Sequence, residues 1–259
     1  MSRTKIIVMA CIAVVVLGAA VVVKLVFFPS VKDAYFTMNS RSLQMVPANL
    51  VVIRPTHFAK SPRKGLFYAN SRLNGQNVQR MLGRDMALGD LIGTAYNEDA
   101  AKVSLPPDAP KTNYDFVVTV SADPQEHLKT AIRKKLGLTA DMETRETDVL
   151  AFKVEDAALP GLTVSDVNEK ENSNFKNGRL YLTHMKIGDL MDGVQQMLKM
   201  PVVDKTGLTN FYDFSLVFTP QMQRGQIDRA TVEKIIGEWG LGLEPDTAQM
   251  EMLVVKKVH

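Results

Sequence analysis

Arg80–Leu91 reads RMLGRDMALGDL, and Arg179–Leu190, ninety-nine residues later, reads RLYLTHMKIGDL. In the first stretch Leu88, Leu91 and Ile92, continued by Ala95 and Tyr96, have the i, i+3, i+4, i+7, i+8 spacing of a helix that buries one face. In the second, Ile187, Leu190, Met191, Val194 and Leu198 have the same period. Two runs with the same phase at matching places point to a duplicated unit.

The correspondence extends downstream. Tyr114-Asp115-Phe116 recurs as Tyr212-Asp213-Phe214 and Leu136-Gly137-Leu138 as Leu241-Gly242-Leu243. Tyr114, Phe116, Val118 and Val120 alternate as a strand with one buried face, matched by Tyr212, Phe214, Leu216 and Phe218. A second helix follows. Asp123 and Glu126 have capping-box spacing, Pro124 suits the first helical position, and Gly137 suits a left-handed C-cap. Leu128, Ala131, Ile132 and Leu136 form its apolar face, answered by Val232, Ile235, Ile236 and Trp239 before Gly240. Short apolar stretches, Val103–Pro107 and Pro201–Gly207, separate helix from strand, and a strand closes each copy at Val149–Val154 and Met250–Val258.

The expected fold is therefore α+β: two tandem β-α-β-β-α-β units at 78–155 and 178–259, packed behind an amino-terminal transmembrane helix. The stretch 156–177, rich in Asn, Glu, Lys and Ser, reads as a linker. Residues 30–77 read as a stalk and extended segment, with strand candidates at Leu50–Ile53 and Leu66–Leu73 that have no counterpart in the second copy.

Residues 1–29 read as the anchor. Ile6–Val23 is apolar or small throughout and would rise about 27 Å as a helix, close to the hydrocarbon thickness of a bilayer. Arg3 and Lys5 before the run favour a cytoplasmic amino terminus and a periplasmic carboxy-terminal portion. The alternative is a cleaved signal peptide processed near Gly18, Ala19 and Ala20. Net charge is +3, and Arg3, Lys5 and Lys24 account for all of it. The remainder is charge-balanced, which argues against a nucleic-acid partner. Cys11, the single cysteine, lies in the apolar run, so the rest of the chain has no disulfide and no thiolate.

Chemical motifs are sparse. Asp204-Lys205-Thr206-Gly207-Leu208-Thr209 resembles the phosphorylated-aspartate motif of P-type pumps, but the chain is too short for one and the first copy has Ser104–Pro107 there, so a polar turn is expected. His57, His127, His184 and His259 have no metal-ligand spacing. His184 matches Asp85 and reads as a variable surface position. The twin aspartates Asp90 and Asp189 read as solvated, and Tyr114, Tyr212 and Trp239 as core. No catalytic, cofactor-binding or metal residue is assigned, and no cofactor is expected.

Pro201–Pro220 (PVVDKTGLTNFYDFSLVFTP), Leu241–Lys257 (LGLEPDTAQMEMLVVKK), Met142–Val154 (METRETDVLAFKV) and Arg54–Phe58 resemble a family of uncharacterised, membrane-anchored soil-bacterial proteins, a domain of unknown function. The likeness covers about four fifths of the chain and implies no activity. The repeated unit is also similar to the short amino-terminal modules of secretins and TonB-dependent receptors, which implies contacts within envelope assemblies by fold analogy. The expected function is a membrane-tethered extracytoplasmic interaction or scaffold module for another envelope protein. The alternatives are an envelope hydrolase or transferase with a dispersed active site, and a sensory ectodomain.

Overall fold

The structure is a computed structural model that describes residues 35–36, 43, 46–56, 64–73, 76–120, 122–166, 168–217 and 227–258. They divide into two compact units. One comprises residues up to Leu91 with Pro110–Gly137, the other Ile92–Ala109 with Leu138 onward.

In the first unit β1 (Val51–Pro55), β2 (Gly65–Leu73), β3 (Gln76–Met86) and β5 (Tyr114–Val118) form an antiparallel sheet in the order β1-β5-β3-β2. The alternation in β5 predicts one buried face, yet all five residues are buried. The reason lies on the other side of the sheet: Phe36, Leu43 and Val46 cover Leu82, Val117 and Ala69 there. Arg80 fastens this covering layer, with Nη1 donating to the carbonyls of Leu43 (2.9 Å) and Val46 (2.5 Å). Phe116 lies directly on Gly83, where a Cβ would stand 2.1 Å from the ring. Helix α1 (Leu88–Tyr96) follows β3, and the unit boundary falls within it. Helix α2 (Pro124–Leu136) packs against β1 and turns Leu128 and Ile132 inward.

The second unit contains two sheets. One has the order β7-β11-β9-β8, from β7 (Thr163–Val164), β8 (Asn172–Lys176), β9 (Arg179–Lys186) and β11 (Phe211–Val217). The other has the order β10-β6-β12-β4. Its centre is the antiparallel pair β6 (Leu138–Val154) and β12 (Leu241–Lys257), matched residue for residue from Leu138–Lys257 to Val154–Leu241. Short parallel strands flank it crosswise: β4 (Val103–Ser104) pairs with β12 and β10 (Val202–Asp204) with β6. Helices α3 (Ile187–Leu198) and α4 (Arg229–Gly237) close the core, where Ile187, Leu190, Val194, Val232 and Ile236 meet Leu150, Phe152, Leu241 and Leu243.

The α+β expectation is corrected by these strands. Among the described residues the fold is mostly β, with three sheets and four α-helices. The closing strands begin eleven and nine residues earlier than expected, at Leu138 and Leu241. Their middles, Asp141–Asp148 and Glu244–Glu251, are largely exposed, so no apolar alternation marks them. The stretch read as a linker carries β7 and β8. The anchor at 1–29 lies outside the described residues. Among the described residues no helix is long and apolar enough to cross a membrane.

The capping box at Asp123 does not form. Asp123 adopts φ 46° and its side chain makes no cap bond, while Glu126 pairs with Lys129 at 2.6 Å. Pro124 and the left-handed Gly137 (φ 65°) stand where expected.

Candidate functional site

In the second unit, α3 and α4 do not close fully over β9 and β11. Between them is a cleft of about 130 Å³. Leu182 and Met185 from β9 and Phe214 and Leu216 from β11 line its floor, Val194 and Met197 one wall, and Val232, Ile235 and Ile236 the other. Trp239 closes one end, tilted 56° on Phe214 at 4.9 Å, with its Nε1 donating to the Ser215 carbonyl at 3.2 Å.

The opening has a local cause. Gly193 faces the cleft from the middle of α3, and a Cβ built there has nothing within 4 Å. Glycine inside a helix is unfavourable relative to alanine, so this position forgoes both helix stability and packing. Met185 and Met197 are flexible, polarisable linings that adapt to an inserted group.

Asp189 is the ionisable residue among the described residues of the lining. One carboxylate oxygen accepts the Lys186 N–H at 2.9 Å and so caps α3. An apolar cavity with a single carboxylate at its mouth suits binding of an apolar group.

Other residues singled out by sequence are dispersed. Asp204 ends β10 and forms a polar turn, its Oδ1 accepting Thr206 N–H (2.8 Å) and the Thr206 hydroxyl (2.7 Å). His127 is exposed on α2, and His57 and His259 lie outside the described residues. Tyr114 and Tyr212 are 4% and 3% exposed and belong to the packing. Among the described residues no group of three His, Cys, Asp or Glu side chains could hold a metal ion.

His184 is not a bland surface position. It sits at φ 56° and stacks on Phe211 with ring centroids 4.0 Å apart. Its N–H reaches Asp213 Oδ1 at 2.9 Å, and Asp213 also accepts the Ser165 hydroxyl. Asp85, its counterpart in the first unit, sits at φ 51°, and its N–H reaches Asp115 Oδ1 at 3.0 Å. There the hydroxyl comes from Thr56, at 2.9 Å. In both sheets the strand register shifts at this residue, so each aspartate of the Tyr-Asp-Phe triplets clasps a bulge.

The cleft was not legible in the sequence beforehand. Its one signal was Gly193, a small residue in a helix whose neighbours are apolar. Residues 89–258 match the family model described as a protein of unknown function (DUF3738). No solved structure matches the chain.

Proposed function

We propose that the chain, which belongs to the DUF3738 family of proteins of unknown function, is a membrane-tethered extracytoplasmic interaction module that holds an apolar side chain of another envelope protein in the α3–α4 cleft. The observation that carries this reading is the cleft's composition: an apolar floor and walls with one carboxylate at the mouth. Asp189 favours a basic residue beside the inserted side chain. The twin clasps and the matched sheet orders support an internal duplication as the origin of the scaffold, and the apolar run at Ile6–Val23 supports the tether.

The test is photo-crosslinking from position 197 in the full chain in its native membrane, compared between wild type and Gly193→Trp, which fills the cleft. One crosslinked partner, lost in Gly193→Trp while circular dichroism is unchanged, is the expected result. Crosslinking that Gly193→Trp leaves intact, or none from position 197, would overturn the reading.

A further inference from the structure

Three arginines, Arg54, Arg80 and Arg84, stand on the covered face of the first unit's sheet. Arg54 is answered by Asp115, whose Oδ2 accepts from its Nε and Nη2 at 3.3 Å. Arg80 is answered by the Leu43 and Val46 carbonyls. Arg84 is 4% exposed, and its Nε and Nη2 are buried with no acceptor among the described residues. The Phe67 ring lies 5.3 Å from its guanidinium carbon.

Asp115 has no capacity left for Arg84. Its Oδ1 takes the Asp85 N–H and the Thr56 hydroxyl while its Oδ2 takes the Arg54 fork, which uses the roughly four acceptor positions of a carboxylate. It acts on Arg84 only as a charge at a distance. Arginine does not shed its proton in proteins, so burial leaves a full charge with two donors unmatched, an arrangement that is destabilising unless an acceptor meets them. Burial itself pulls the Arg84 guanidinium below its ordinary value, against the pull of Asp115.

The two orphaned atoms are not an arbitrary pair. Nε–H and the adjacent Nη2–H share one edge of the guanidinium and point the same way, the fork that takes two oxygens of a carboxylate or phosphate at once. We infer that Arg84 is an oxyanion-binding site: a carboxylate or phosphate group enters past the half-buried Phe67 ring and accepts both N–H bonds along this edge. The site is particular to the first unit, since the aligned position in β9 is Thr183. It is separate from the apolar cleft and independent of the reading given to that cleft.

The experiment is thermal unfolding of the full chain, purified in mild detergent, titrated with inorganic phosphate or acetate against chloride at equal ionic strength. The Arg84 Nε–H resonance is followed in parallel. Expected is a saturable midpoint rise of about 5–10 °C at a hundredfold excess over the dissociation constant, with a downfield shift of that resonance. A response to phosphate alone assigns a phosphate-bearing ligand, and a response to acetate assigns a carboxylate. Arg84→Lys keeps the charge, loses the two-donor edge, and abolishes the response. The resonance titration needs no variant, so it decides the matter even if Arg84→Lys unfolds. Equal midpoints in all three salts, or an unmoved Nε–H resonance, would overturn the assignment.

Discussion

Asp213 Oδ1 accepts the backbone N–H of His184 at 2.9 Å, and that bond holds a left-handed residue inside a strand. Asp115 does the same for Asp85 and also anchors Arg54. A buried carboxylate that satisfies an N–H, a hydroxyl and a guanidinium is destabilising to remove, because each donor is left without an acceptor. Asp115→Ala is therefore expected to cost about 3–5 kcal/mol, and Asp213→Ala, with no guanidinium to strand, about 1–3 kcal/mol. Asp213→Asn, which keeps an acceptor oxygen, should fall below Asp213→Ala. Urea unfolding of the three variants checks the order.

These clasps show where sequence legibility ended. The repeated Tyr-Asp-Phe was visible, and the burial of its aromatic residues followed from period two. The role of the aspartate did not, because it depends on a backbone N–H freed by a bulge elsewhere in the sheet. The faces of α1 and α3 were readable because burial on one side leaves a 3.6-residue period. The middles of β6 and β12 face solvent on both sides, and β8 is exposed at all five positions, so neither has a pattern to read. The cleft depends on a side chain that is missing, at Gly193, and the Arg84 edge on acceptors already committed to other donors.

Asp85 supplies a pH-dependent contribution. A hydrogen bond from Lys64, then one from Asn113, holds its carboxyl below the ordinary value, with burial opposing them. The folded protein thus binds this proton less readily than the unfolded chain. The stabilisation is complete above the ordinary carboxylate pKa of about 4 and is lost as pH falls through the folded-state value. Asp85→Asn, which tolerates the left-handed backbone, is expected to flatten this part of the stability profile between about pH 2 and 5. Urea midpoints across that range measure it, and an unchanged slope would count against the Lys64 pairing.

Gly83 is required by the ring above it rather than by its backbone. A Cβ there would stand 2.1 Å from Phe116, which is fully buried and has no room to retreat. Gly83→Ala should cost about 1–3 kcal/mol through overpacking. Phe116→Leu should be less harmful in the Gly83→Ala background than alone, since the smaller side chain vacates the clash. A double-mutant cycle that finds the two substitutions additive would separate the residues energetically.

The β6–β12 ladder raises the question of what holds a two-stranded ribbon whose middle is exposed. Surface charges are arranged along it: Lys256 meets Glu143 at 2.7 Å, and Lys153 and Lys205 meet Glu244 and Asp246. Exposed pairs of this kind contribute little, because solvent screens them and ordering two long side chains costs entropy. The apolar ends are different. Val149–Phe152 and Leu241–Leu243 are buried at one end, Met252–Val255 at the other, and Leu253, 1% exposed, also pairs with Val103 of β4. Leu253→Ala is expected to cost about 2–5 kcal/mol through lost burial and the cavity left behind. Lys256→Ala should leave the urea midpoint nearly unchanged at low and high salt alike. If Lys256→Ala instead lowered it as far as Leu253→Ala does, and salt removed the difference, the charges rather than the buried ends would hold the ribbon.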